Sequence, residues 1–237
     1  MAADKDDVTA AIAKLAASDN YSWKTTSTNI PAPGADANAG GGGRRGRGGF
    51  GAGTVDGKVQ KDGLIYVSMP GRGGAVTEGY VKGTKGAIKA GEEGWTSLAD
   101  ATADDGGGGF NFAAMTARRV QTTKSPADQA KELLDKAKSI TKADDAYSGD
   151  LPEDAVKALL SFGPPRGGGG GPEISGAKGS VKFWIKDGVL VKFETTAKGS
   201  MSFNDNDIQM NRVTTTEIKD VGATKIEVPA EAKKSLS

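Results

Sequence analysis

The sequence predicts an α+β fold: a curved antiparallel β-sheet, in effect a half-barrel, wrapped against two or three helices, with glycine-rich loop inserts. Three observations lead there. Two Lys-Asp-Gly turns, at 61–63 and 186–188, each stand between runs of strand-forming residues. Apolar residues at helical spacing are confined to the opening residues and the middle of the chain. Most of the 36 glycines fall in three tracts and leave the strand segments intact. The 237 residues are read as one domain, long enough to bury a substantial core.

In chain order, residues 6–17 predict a short helix with Val8, Ile12, Leu15 and Ala16 on one face. Tyr21 to Thr28 follows as a strand with Tyr21, Trp23 and Thr25 on the same side. Further strands are expected near 53–60, 63–69, 75–82, 85–90 and 93–98. Ser125-Pro126-Ala127-Asp128 reads as an N-cap, a proline at the first helical position and an acid at the third. Behind it Ala130, Leu133, Leu134 and Ala137 form an apolar stripe. A second middle helix starts near Leu151-Pro152-Glu153, buries Val156, Leu159 and Leu160, and stops at Gly163-Pro164-Pro165. Strands at 174–187, 189–196, 200–204, 207–218 and 223–228 complete the pattern.

The turns set the expected registers. With a three-residue loop at Lys61-Asp62-Gly63, residues Val55, Val59, Ile65, Val67 and Met69 share one face. The same device at Lys186-Asp187-Gly188 pairs Ile185 with Val189. Val181, Phe183, Ile185, Val189, Val191 and Phe193 then face one way, with Trp184 and Leu190 as partial exceptions. Both hairpins together imply a sheet with a single buried face.

Composition excludes several kinds of chemistry. Cysteine and histidine are both absent, so no disulfide, thiolate nucleophile, imidazole base or ordinary zinc site is available. No metal site, cofactor or catalytic residue is expected, and the reading is of a non-enzyme. With 31 basic and 30 acidic residues no global field draws in a polyanion. The run AAIAKLAA is too short to span a bilayer, and the opening Met1-Ala-Ala-Asp fits either a mature exported domain or a cytosolic start. Residues 46–51 fit GxGxxG by letter, but they lie in a glycine tract with no strand before them. Asp205 and Asp207 read as a turn, and Asp144, Asp145 and Asp150 near Tyr147 as solvated acids.

The segments AIAKLAASDNYSWKTT, AYSGDLPEDAVKALL, VKFWIKDGVLVKFE and DVGATKIEVPAEAKKSL, in this order, resemble the LolA/LppX-like fold of bacterial envelope lipoproteins. That resemblance implies an exported protein of the periplasm or cell envelope, holding a lipid, acyl chain or other apolar ligand between sheet and helices. It implies no catalytic residue. The cavity lining would come from the inward faces: Val55, Val59, Ile65, Val67, Val181, Phe183, Val191 and Phe193, with Leu133 and Leu159 from the helices. An aromatic content of 6% leaves few large side chains to fill a wide gap. The alternative is a solid core in an envelope or surface interaction module that contacts a protein or polyanion through its loops. Those loops are the inserts 31–53, 104–110 and 163–172, expected on the surface. They carry Arg44, Arg45, Arg47 and Arg166, with Phe50 placed to stack on a base. Four arginines beside Asp36, Asp104 and Asp105 release few counterions, so nucleic acid is not the expected partner.

Overall fold

The computed structural model describes residues 2–30, 53–71, 74–103, 112–161, 173–203 and 206–236. Apart from Gly53, the three inserts and their arginines Arg44, Arg45, Arg47 and Arg166 lie outside the described residues, as does Asp205. The chain folds as helix α1 (Ala2–Ala16), strands β1 (Asn20–Asn29), β2 (Gly53–Gln60), β3 (Leu64–Pro70), β4 (Val76–Lys82), β5 (Lys85–Ala90) and β6 (Thr96–Ser97). Helices α2 (Leu98–Thr102), α3 (Phe112–Gln121) and α4 (Pro126–Lys136) follow, then β7 (Thr141–Ala143), β8 (Ala146–Leu151) and α5 (Glu153–Leu160). Long strands β9 (Glu173–Lys186), β10 (Val189–Phe203) and β11 (Asn206–Lys219) precede a short α6 (Ala230–Lys233). The fold is α+β, and its antiparallel ladder runs β6-β5-β4-β3-β2-β1-β11-β10-β9-β8-β7 without closing on itself.

Two compact units share these elements. The first comprises Met1–Lys14, Thr25–Gly53 and Ala130–Glu217. Its core lies on one face of β8–β10, where Tyr147, Phe183 and Phe193 stand in one cross-strand row and Val181 and Thr195 in the next. Helix α1 has Val8, Ala11, Ile12 and Leu15 buried, the spacing of one helical face. Helix α5 lies against β9 and β10 because glycines let it approach. A Cβ at Gly199 would stand 3.0 Å from Leu160 and 3.2 Å from Ile174, and one at Gly179 would meet Val156 at 3.0 Å.

The hairpin of this unit departs from the three-residue loop expected for it. Val189 pairs with Lys186 and Leu190 with Ile185, leaving a two-residue turn of Asp187 (φ 53°) and Gly188 (φ 72°). Positive φ at both central residues is the type I′ turn that matches strand twist. Val191 is then an extra residue between the Leu190 and Lys192 pairings, and this bulge restores Phe183 opposite Phe193. Leu190 is therefore fully buried, whereas Val191 is only half-buried. The strands expected at 189–196 and 200–204 are one strand, and 223–228 forms none. Asp144 and Asp145, read as solvated acids, form the turn of the β7–β8 hairpin, with Asp144 at φ 53°.

The second unit comprises Leu15–Lys24, Thr54–Gln129 and Ile218–Ser237. Here the Lys-Asp-Gly turn is the three-residue loop expected. Val59 pairs with Ile65, Gly63 adopts φ 82°, and its N–H donates to Gln60 O at 2.9 Å. One face of β2–β5 carries the row Gly57–Val67–Gly79–Ile88. The Trp23 ring lies over Gly57, and Val120 of α3 sits where a Gly79 Cβ would be, 2.5 Å away. The opposite face is buried too, against the single-face expectation: Leu64, Tyr80 and Ala87 pack with Ala232, joined by Tyr66, Trp95, Ile226, Val228 and Leu236. Both α2 and α4 start at a serine cap. Asp128 N–H donates to Ser125 Oγ at 3.2 Å, and Asp100 N–H to Ser97 Oγ at 3.0 Å.

Candidate functional site

The ten apolar side chains expected to line a ligand space divide into two groups. Val67, Val181 and Phe183 have no surface that water reaches, and Phe193 has 3%. Val181, Phe183 and Phe193 share one face of the first unit, Phe183 directly opposite Phe193. Val55, Val59 and Ile65 in the second unit, and Leu133, Leu159 and Val191 in the first, are half-buried. In α4 the buried stripe is Ala127, Ala130 and Leu134, so Leu133 stands at its margin; in α5 Ala155, Val156 and Leu160 are buried, so Leu159 does likewise.

The helix-facing side of the first unit changes character across the ladder. Phe193 pairs with Thr216, Thr195 with Thr214 and Ala197 with Arg212, so these residues share one face. Thr216 Oγ1 lies 2.9 Å from Thr25 Oγ1, and Thr214 Oγ1 lies 2.9 Å from Ser27 Oγ. The strip ends at Arg212, whose Nη1 donates to Leu159 O at 3.1 Å and whose Nε donates to Asn29 Oδ1 at 3.4 Å. Leu159 is in the last turn of α5, where a cation complements the helix dipole. Thr195 and Thr216 are buried, while Thr25, Ser27, Arg212 and Thr214 remain half-buried. Sequence reasoning missed this strip because Arg212-Val213-Thr214-Thr215-Thr216 puts hydroxyls on both faces of the strand. The signal was Thr25, on the same side as Tyr21 and Trp23.

The second unit has a cleft of about 310 Å³ lined by Lys58, Tyr66, Tyr80, Lys225, Ile226 and Glu227. Two of these rings are tilted against each other, Tyr66 and Tyr80 with centroids 5.1 Å apart, and Trp95 stands behind them, 5.1 Å from Tyr80. Tyr66 donates to Glu78 Oε1 at 2.6 Å, and Tyr80 donates to Glu227 O at 2.9 Å. Burial, reinforced by the Glu78 carboxylate, holds the Tyr66 phenol well above the usual tyrosine range. Burial raises Tyr80 as well. Both hydroxyls are protonated donors at neutral pH, committed to partners within the fold.

Among the described residues no three His, Cys, Asp or Glu side chains are placed to hold a metal ion. Tyr147, flanked by Asp144, Asp145 and Asp150 in sequence, donates instead to Asp7 Oδ2 of α1 at 3.0 Å. Among the described residues no helix is long and apolar enough to cross a membrane.

No family model matches the chain, and no curated protein sequence matches it. Among solved structures it is similar to LprF from Mycobacterium bovis, at 12% identity and a TM-score of 0.48, covering 98% of each chain. It is similar as well to the lipoprotein LppX from Mycobacterium tuberculosis, at 12% identity and a TM-score of 0.45, covering 96% of this chain and 99% of that one. No residue role passes across at this identity.

Proposed function

We propose that the chain is a non-catalytic, envelope-associated protein that binds or carries an apolar or amphipathic molecule between the sheet and helices of its first unit. The observation that carries this reading is the incompletely covered helix-facing surface of β1, β11 and α5. Leu159, Thr25, Ser27, Thr214 and Arg212 are half-buried there, beside a largely apolar core. The resemblance of four sequence segments to the LolA/LppX-like lipoproteins supports the same reading. Val181 and Phe183 are fully buried, so a long acyl chain reaches them if α5 moves off its glycine bed at Gly179 and Gly199.

Native mass spectrometry with lipid extraction, on protein purified from a membrane-containing host, tests this. A co-purifying acyl species at defined stoichiometry is expected. A clean apo mass, with no uptake of added fatty acid or phospholipid, overturns the reading. It would favour the second one, an interaction module with a solid core, which the complete burial of Val67, Val181 and Phe183 supports.

A further inference from the structure

We propose that the cleft of the second unit is a binding site for an acidic sugar, a hydroxylated ring bearing one carboxylate. The cleft belongs wholly to the second unit and the carrier reading to the first, so the two stand or fall separately.

At about 310 Å³ the cleft is at the lower end of the range for small-molecule sites. Lys58 of β2, Tyr66 of β3 and Tyr80 of β4 line it together with residues 225–227, a stretch that belongs to no strand. Three contacts hold that stretch in place. Tyr80 Oη donates to Glu227 O at 2.9 Å, Lys58 Nζ donates to Lys225 O at 3.4 Å, and Ile226 packs into the cluster of Leu64, Tyr80 and Ala87.

Hydrogen-bonding capacity decides what the cleft accepts. Tyr66 gives its only O–H to Glu78 Oε1 and Tyr80 gives its own to Glu227 O, so each phenol offers the cleft lone pairs alone. The exposed Glu227 carboxylate is a further acceptor. Donors come from the ammonium groups: the exposed Lys225 has three N–H, and Lys58 has two beyond the one given to Lys225 O. Among the described residues neither lysine forms an ion pair with an acid. A matching ligand therefore donates hydroxyl protons to the phenol oxygens and Glu227, and presents an anion to the two lysines.

Charge and polarity narrow the class. Among the lining groups two cations face one carboxylate, a surplus that a single ligand carboxylate balances; Glu78 lies outside the lining and accepts from Tyr66. Five of the six lining side chains end in a polar group, and only Ile226 does not. A fatty acid lacks the hydroxyls and would set its chain against those polar ends. A pyranose has the hydroxyls, and its C–H face packs against the apolar body of a tyrosine.

Amide NMR titration of the full chain with glucuronate, glucose and benzoate tests the assignment. Glucuronate should shift the amides of Lys58, Tyr66 and residues 225–227. It should bind several-fold more tightly than glucose, which has no charge for the lysines, and than benzoate, which has no hydroxyls. Lys225→Gln, at an exposed position, should remove most of the preference over glucose. Glu227→Gln keeps an acceptor but removes the opposing charge, and should tighten glucuronate while leaving glucose nearly unchanged. Equal affinity for the two sugars overturns the proposal, as does a preference that survives Lys225→Gln and Lys58→Gln together. Benzoate binding as tightly as glucuronate, or no binding of either sugar, overturns it as well.

Discussion

Leu190 and Val191 compete for one place in the core, and exchanging each for alanine decides which holds it. In the observed register Leu190 is fully buried and Val191 is the half-buried extra residue of a bulge. Leu190→Ala removes three carbons at about 0.8 kcal/mol each, and the cavity left behind raises the cost to about 3–4 kcal/mol. Val191→Ala removes two methyl groups from a half-exposed site, about 0.8 kcal/mol in all. In a chain of this size each kcal/mol moves the melting temperature by about 2–4 °C. Leu190→Ala should therefore lower it by about 6–16 °C and Val191→Ala by about 2–3 °C, measured by circular dichroism or scanning fluorimetry. Under a three-residue loop the order inverts, because a one-residue slip exchanges the faces. A Val191→Ala loss equal to or larger than that of Leu190→Ala refutes the type I′ turn and its bulge.

Other expectations follow from contacts within one unit. Gly79→Ala places a Cβ 2.5 Å from Val120 Cγ1, so it should cost about 1–3 kcal/mol, and Val120→Ala in the same chain should recover part of that loss; additive losses in a double-mutant cycle would show that the glycine serves something else. Ser125→Ala removes the cap of α4 and should cost about 1 kcal/mol in urea unfolding, with Ser125→Asp largely preserving it. The Asp62 carboxylate accepts a hydrogen bond from Lys82, which holds its pKa below the usual carboxylate range. With the folded value depressed, its contribution is present above the unfolded carboxylate range and is lost as pH falls through the folded value. Carbon-detected titration should place its midpoint below that of an ordinary aspartate, and Lys82→Met should bring it back; an unchanged midpoint in that variant would remove Lys82 as the cause.

What could be read from the chain depended on whether local chemistry had one solution. At Lys61-Asp62-Gly63 the alternation of Val55, Val59, Ile65 and Val67 agreed with only one loop length, and that loop is present. The identical tripeptide at 186–188 was ambiguous, because a bulge resets the alternation and leaves no mark in the sequence beyond the misfit of Trp184 and Leu190. Trp184 has its own explanation: its ring lies under the Lys192 ammonium, 3.6 Å from the centroid, on the outer face. The cap at Ser125 was legible through its proline, whereas the same cap at Ser97-Leu98-Ala99-Asp100 precedes a helix of a single turn and was absorbed into an expected strand. The buried outer face of β3–β5 was not legible because its cover, residues 226–236, lies far away in sequence. The hydroxyl strip escaped for a different reason, since threonine is an ordinary strand residue on either face.

That second cover has a consequence for the order in which the protein is made. Strands β3–β5 leave the ribosome long before Ile226, Val228, Ala232 and Leu236, so for most of synthesis Tyr66, Tyr80 and Trp95 have no covering layer on that side. A growing chain with a paired but half-clothed aromatic sheet is the kind of species that chaperones hold and that aggregates when they do not. Only once this later segment has been made can the Tyr66–Tyr80–Trp95 face be covered. A chain stopped after Lys219 should retain its strand content by far-ultraviolet dichroism yet bind a hydrophobic dye that the full chain refuses.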